Sequence, residues 1–165
     1  MSRMKSAFAL IVLLFTISFG AKSNPVGAER ARLVAKNFLN NNGSRSHGLV
    51  DVSADAAFPN VYVFTTENSF VLVAGDDCVQ PILGYSLSSG FDLENMPENK
   101  AAWIMEYDDA IRYAIDHRAR ASSEVMQLWY GLSANNPNTA RMVAVVNPLL
   151  QTQWNQVDPY NLLCP

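Results

Sequence analysis

Residues 70–86 constrain the fold more than any other stretch, because they contain two apolar runs separated by a short acidic turn. Residues 70–74 read FVLVA, a continuous apolar run rich in β-favouring side chains, and the GDD sequence at 75–77 has the composition of a turn. A second strand is predicted to begin near Pro81. Upstream, residues 61–65 (VYVFT) form a third run, four polar residues before the first, which is a typical hairpin spacing. The pattern predicts an antiparallel meander.

An amphipathic helix is predicted before this meander, over residues 28–41, and the Asn- and Gly-rich sequence at 40–44 ends it. Residues 49–52 are consistent with a short edge strand. The apolar residues of the helix recur at helical spacing. They are Ala31, Val34, Ala35, Phe38 and Leu39.

A second, longer helix is predicted after the meander, with Pro97 in its first turn. Residues 124–132 follow as either a further helix or a turn packed on the sheet. The fold class predicted from these elements is α+β, an antiparallel sheet of about four strands with helices packed on one face. The apolar face of the long helix contains Trp103, Ile104, Tyr107, Ile111, Ala114 and Ile115.

The order of these motifs resembles the propeptide domain of the streptopain family of secreted bacterial cysteine peptidases. The motifs are YVF, FVLVAGDD, PILGYS, Phe91-Asp92 and the MPEN sequence at 96–99, and the resemblance covers about residues 28–113. Met96 stands where the family pattern has Leu, a substitution that conserves volume. The tail NPLLQTQWNQVDPYNLLCP resembles the first residues of the mature peptidase of the same family.

The N-terminal sequence is typical of a secretory signal peptide. Two basic residues precede an apolar run at 7–19, and Ala21 and Ser23 occupy the positions that signal peptidase recognises. The run is short for a membrane span, so we expect cleavage after Ser23, or else after Gly20, rather than a retained anchor. The mature protein is then secreted or periplasmic, with no membrane association.

Four segments are therefore predicted: a signal peptide at 1–23, a propeptide or inhibitor domain at 24–132, a linker with the activation cleavage at 133–140, and an N-terminal stump of the mature peptidase at 141–165. The boundary rests on the polar, Asn- and Pro-rich composition of the linker. With 165 residues, 16% charged residues and a formal net charge of −3, the chain has the composition of one globular domain. It has no basic stripe that would favour a nucleic-acid partner.

Catalysis of the papain type requires a cysteine thiolate, a histidine and an oxyanion donor. We predict no catalytic residue in this chain. Cys164 is preceded by Leu163 rather than by the glycine of the family motif, and Pro165 follows it, so no helix N-terminus can activate its thiol. Cys78 lies beside two aspartates, whose charges raise the pKa of a thiol. Whether Cys78 and Cys164 form a disulfide is left open by the sequence.

No cofactor or metal site is predicted either. His47 and His117 have no partner at the spacing of a metal site or a catalytic triad, so both are interpreted as surface residues. Asp76 and Asp77 suggest calcium only weakly, and turn formation explains them more simply. Six aromatic residues are predicted in the core, whereas Phe91 and Trp129 could anchor a partner instead. The six are Tyr62, Phe64, Phe70, Tyr85, Trp103 and Tyr107.

The resemblance implies that this chain keeps a cysteine peptidase inactive and assists its folding, with the catalytic domain of that peptidase as its partner. The chain as given would be a truncated precursor that lacks the catalytic Cys and His. Two alternatives are open: a free-standing secreted inhibitor, against which the peptidase-like tail argues, and an unrelated secreted binding module. The full-length parent would be a cysteine endopeptidase, but the chain itself would not be an enzyme.

Overall fold

The computed structural model describes residues 24–44 and 46–144. The predicted signal peptide, the tail at 145–165 and Cys164 lie outside the described residues. Within the described part of the chain, no helix is long and apolar enough to cross a membrane.

Four strands form one antiparallel sheet in the order β1-β2-β3-β4. They are β1 (Val50–Asp51), β2 (Val61–Thr65), β3 (Phe70–Ala74) and β4 (Ile82–Ser86), with a short 3₁₀ helix at Ser53–Asp55 between the first two. Leu72, in the centre of β3, pairs with Val63 of β2 and Gly84 of β4. The predicted meander and the α+β class are confirmed.

The described residues contain four helices: α1 (Ala28–Asn41), α2 (Glu98–Asp116), α3 (Ser123–Ser133) and α4 (Pro137–Ala144). The bounds of α1 coincide with the prediction. Pro97 lies at the N-cap of α2 with an extended backbone, as its fixed φ allows. The Ser122 hydroxyl accepts a hydrogen bond from the Val125 amide at 3.3 Å and caps α3, so residues 124–132 form a helix rather than a turn.

The two long helices lie on opposite faces of the sheet, which differs from the expectation that they share one face. Successive residues of a strand point to opposite faces. A Cβ added to Gly84 would lie 2.5 Å from the Trp103 ring of α2, whereas the neighbouring Tyr85 ring contacts Phe38 of α1, with centroids 4.9 Å apart. Both faces of the sheet therefore need apolar residues, and all five residues of β3 are buried.

The aromatic residues divide between core and surface differently from the prediction. Phe64 and Phe70 are buried, and Tyr62 and Tyr107 are half-buried. Tyr85 and Trp103 are 36% and 39% exposed, because both lie at the edge strand β4, where no further strand covers their rings within the described residues. Phe91 and Trp129 are buried, so neither is an exposed anchor for a partner. The Trp129 indole N–H donates to the Val79 carbonyl at 2.8 Å.

The segment at 133–140 is not an extended linker throughout. Residues 134–138 are exposed, and Asn135 has a φ of 56°, which belongs to the left-handed region that Asn tolerates after a helix. From Pro137 the chain forms α4, which packs against α1 and α3 with Ala140 fully buried. Asn37 of α1 connects α1 to α3 by donating to the Leu132 carbonyl at 2.8 Å. Asn and Pro are common both in linkers and at helix starts, so composition alone does not separate the two.

Candidate interaction surface

Cys78 is unsuited to nucleophilic chemistry. Its side chain is buried, and burial raises the pKa of the thiol from 9.0 to about 12, with further contributions from the hydrogen bond and the charge of Asp76. A thiol with this pKa carries almost no thiolate at neutral pH. Cys164 lies outside the described residues.

Asp76 and Asp77 organise the turn between β3 and β4. The buried Asp76 accepts a hydrogen bond from the Cys78 amide at 2.9 Å, which closes an Asx turn. Asp77 faces the other way, and one of its oxygens lies 3.6 Å from the Arg30 guanidinium. Among the described residues, no group of three or more His, Cys, Asp or Glu side chains is arranged to hold a metal ion.

Both histidines lie on the surface, as predicted. His47 is exposed in the loop between α1 and β1. His117 ends α2, where its Nδ1 atom lies 2.8 Å from the Tyr113 carbonyl oxygen and its ring stacks on the Tyr113 ring. The contacts of His117 are therefore local to the end of α2.

The most distinctive surface feature is the β4–α2 loop, which we define as residues 87–97. The first half of this loop is fixed by contacts with the end of β4 and with the β2–β3 hairpin. The Ser86 hydroxyl accepts hydrogen bonds from the amides of Ser88 and Ser89, at 3.3 and 3.1 Å. Gly90 lies so close to the β2–β3 hairpin that a Cβ there would be 2.6 Å from the Thr66 carbonyl oxygen. This part of the loop requires glycine because it touches backbone.

The second half of the β4–α2 loop is anchored by Phe91. Its amide donates to the Thr65 hydroxyl at 2.8 Å, and its ring packs edge-on against Phe70 with centroids 5.2 Å apart. The Lys100 ammonium lies 3.8 Å from the centre of the Phe91 ring, and burial lowers the pKa of this lysine. The loop is therefore attached to the sheet on one side and to α2 on the other.

Beyond Phe91, Asp92 and Asn95 form a compact turn. The Asn95 side-chain and backbone N–H groups each donate to the Asp92 carboxylate at 3.0 Å, and these bonds lower the pKa of Asp92. Most side chains of the loop nevertheless point to solvent, including the apolar Leu87, and the Trp103 side chain of α2 is also exposed. An ordered loop with exposed polar side chains and adjacent apolar surface is typical of a recognition loop.

A second exposed surface lies on α3. Met126 and Tyr130 are 49% and 77% exposed and border a cavity of about 360 Å³. Arg30 lies in the same cavity, with its guanidinium carbon 4.8 Å from the centre of the Trp129 ring. The β4–α2 loop and the exposed side of α3 are thus both candidate surfaces.

Comparison with known protein families identifies the family of this chain. The range of the match also bears on the choice between the β4–α2 loop and the exposed side of α3. The model of the Spi protease inhibitor family matches residues 23–111, more than half of the chain. The chain belongs to the Spi protease inhibitor family. The matched range contains the whole sheet and the whole β4–α2 loop, and it ends within α2. Helix α3, with Met126 and Tyr130, lies outside it.

Two curated relatives place the Spi-type domain in longer proteins. Streptopain of Streptococcus pyogenes is 31% identical over 122 residues, which cover 70% of this chain and 26% of the relative. A thiol protease/hemagglutinin of Porphyromonas gingivalis named PrtT is 24% identical over 180 residues, which cover 98% of this chain and 20% of the relative. The chain thus spans about a quarter or less of the length of these relatives. No solved structure matches it.

The resemblance to the streptopain propeptide, stated from the sequence, is confirmed by these matches. The anchored conformation of the β4–α2 loop was missed at the sequence level, although the Phe91-Asp92 and MPEN motifs lie in the loop or at its end. A signal was available in Gly90 and Pro97, which flank a polar segment between a strand and a helix. What the sequence did not reveal is the anchoring of this segment by Thr65, Thr66 and Lys100.

Proposed function

We propose that this chain is the inhibitory propeptide region of a secreted cysteine peptidase of the streptopain type. Membership of the Spi protease inhibitor family is the observation that carries the proposal. The relatives streptopain and thiol protease/hemagglutinin PrtT support a cysteine peptidase as the partner. In this function the chain binds the catalytic domain and has no peptidase activity of its own.

The β4–α2 loop is the part of the surface that we assign to the peptidase. It lies within the range that the family shares, and its fixed ends reduce the conformational entropy lost on binding. Leu87 in the loop and Trp103 on α2 add exposed apolar area, and exposed aromatic residues at the centre of an interface contribute much of the binding energy. Protease–inhibitor interfaces of standard size reach nanomolar affinity or better.

Two charge-reversal variants, one beside the loop and one on α3, form a matched pair that tests this assignment. Glu98 and Glu124 are both exposed acidic residues in the first turn of a helix, Glu98 beside the β4–α2 loop and Glu124 on α3. Reversing either charge places a cation at the N-terminus of a helix, where it is unfavourable. The inhibition constant of the purified chain is measured against the mature streptopain-type peptidase from the same genome, using a fluorogenic peptide substrate.

We expect Glu98→Lys combined with Trp103→Ser to raise the inhibition constant at least about tenfold. Glu124→Lys combined with Tyr130→Ser should leave it within about twofold. Equal losses in both double variants would contradict the assignment of the loop. Absence of inhibition by the unmodified chain at about 10 µM would contradict the proposed function itself.

Folding assistance and processing belong to the same proposal. The chain would be exported by its N-terminal signal, with cleavage after Ser23, and would be removed from the peptidase by a cut in the exposed turn at 134–138.

A free-standing inhibitor is the second candidate, and a refolding experiment distinguishes it from a propeptide. A propeptide should increase the yield of active peptidase when it is present during refolding, whereas an inhibitor that acts only on the folded enzyme should not.

A further inference from the structure

The first described residues of the chain pair with the turn after β3. The Val26 amide donates to the Gly75 carbonyl at 2.8 Å, and the Asp77 amide donates to the Asn24 carbonyl at 3.1 Å. Between these two bonds, Pro25 and Asp76 form an antiparallel β-bridge. Residues 24–26 thus act as a short additional strand along the GDD turn, which places the Asn24 backbone nitrogen at a defined position.

The Asp77 carboxylate lies between this nitrogen and a guanidinium group. One oxygen, Oδ1, accepts a hydrogen bond from the Asn24 backbone nitrogen at 3.0 Å. The other, Oδ2, lies 3.6 Å from Nη1 of Arg30, and the Asp77 side chain is only 24% exposed. The two contacts use different oxygens, so the carboxylate can bind both groups at once.

We propose that Asp77 is the binding site for the α-ammonium group that signal-peptide removal creates at Asn24. Hydrolysis of the bond between Ser23 and Asn24 consumes one water molecule, leaves a carboxylate on Ser23 and gives Asn24 a free amine, which is protonated below its pKa. The neutral amide N–H seen at 3.0 Å from Asp77 is thereby replaced by a cation at the same position. Export processing would convert a hydrogen bond into an ion pair and stabilise the processed domain.

The charges around this site favour the ammonium form. Asp76 and Asp77 of the turn are the carboxylates next to it, and Arg30 is the nearby cation. The Tyr130 side chain from α3 borders the same cavity as Asn24, Arg30 and Asp77. An α-amino group has an ordinary pKa of about 7.7–8.0, and an adjacent carboxylate raises it. The added stability is therefore fully present below about pH 7.7 and is lost as the pH rises through the raised pKa of the folded state.

Two forms of the chain 24–165 test this inference: one with a free amine on Asn24 and one with that amine acetylated. The acetylated form retains the amide N–H of the unprocessed chain but lacks the charge. Each form is also prepared with Asp77→Asn and, as a control, with Asp55→Asn, which neutralises an exposed carboxylate of the 3₁₀ helix. Urea unfolding is followed at pH 6.5 and at pH 10.

At pH 6.5 we expect the unfolding equilibrium constant of the free-amine chain to be about two- to fivefold lower than that of the acetylated chain. The ratio should return to one at pH 10 and in Asp77→Asn, and should persist in Asp55→Asn. Equal stability of the two forms at pH 6.5, or a ratio that survives Asp77→Asn, would overturn the inference. The inference rests on the signal-peptide cleavage site given in the proposed function. It does not depend on peptidase inhibition, because unfolding of the isolated chain 24–165 is measured without a peptidase.

Discussion

At the scale of single residues, Cys78 illustrates how the fold suppresses reactivity. The adjacent acidic residues already indicated a raised pKa, but burial is its largest cause, and burial depends on the whole fold. The same environment also makes the stability of the domain depend on pH. In the unfolded chain the thiol recovers its ordinary pKa of 9.0, whereas in the folded chain it stays protonated to about pH 12.

The first prediction follows from this difference. Below pH 9 the Cys78 thiol is protonated in both the folded and the unfolded chain, so its contribution to stability is fully present. Above pH 9 the thiol stays protonated only in the folded chain. The free energy of unfolding should therefore fall by up to about 1.4 kcal/mol per pH unit between pH 9 and pH 10.5. Urea unfolding of the natural chain and of Cys78→Ala measures the effect. The variant keeps every tyrosine and lysine, so identical alkaline profiles would contradict the raised pKa.

At the scale of secondary-structure elements, α2 is attached to the sheet by a buried carboxylate. Asp108 is 5% exposed and accepts hydrogen bonds from the Asn60 amide at 2.6 Å and from the Asn60 side chain at 3.2 Å. The Asn60 carbonyl in turn accepts the Gly75 amide at 2.7 Å. The start of β2, the end of β3 and the middle of α2 therefore share one polar connection.

The second prediction concerns this connection. Asp108→Ala leaves a partly buried amide without its acceptor, so we expect a loss of about 1–3 kcal/mol in the free energy of unfolding. Asp109→Ala is the matched control, because that side chain is 58% exposed and pairs with the exposed Arg112. An exposed pair of this kind contributes at most about 0.5 kcal/mol. Equal unfolding midpoints in urea for the two variants would show that Asp108 does not hold the helix.

At the scale of the whole molecule, helix α4 extends the packed structure beyond the turn at 134–138. Ala140 is fully buried against the other helices, whereas Arg141 beside it is exposed. Asn42 of α1 adds a longer contact from its side-chain nitrogen to the Ala140 carbonyl at 3.4 Å. The domain therefore continues past the turn at 134–138, and a cut in that turn would leave α4 attached only by packing.

The third prediction tests this packing. Ala140→Glu places a carboxylate in an apolar contact, so α4 should detach while the sheet remains folded. We expect subtilisin to cleave the variant between residues 134 and 144 at least about tenfold faster than the natural chain. Arg141→Glu introduces the same side chain at an exposed position and should leave the rate unchanged. Similar cleavage rates for all three proteins would contradict the docked helix.

Local patterns account for the elements that were predicted correctly. Helix α1 was located closely because its apolar spacing and its Asn-rich end lie within the same 14 residues. The sheet order followed from short polar gaps, since sequential strands joined by hairpins pair with each other. The start of α4 at Pro137 was missed, because Asn and Pro serve equally in exposed turns and at helix N-termini.

The sequence by itself determined the strands, the first helices and the family, because periodicity, turn composition and motif order are properties of neighbouring residues. Only the tertiary structure decided the placement of the helices on two faces of the sheet, the exposure of Trp103 and the anchoring of the β4–α2 loop. These depend on residues far apart in the chain, such as Thr65 with Phe91 and Asn24 with Asp77. Such contacts cannot be predicted from a local sequence pattern, because they stabilise the protein only after folding has brought the two distant segments together.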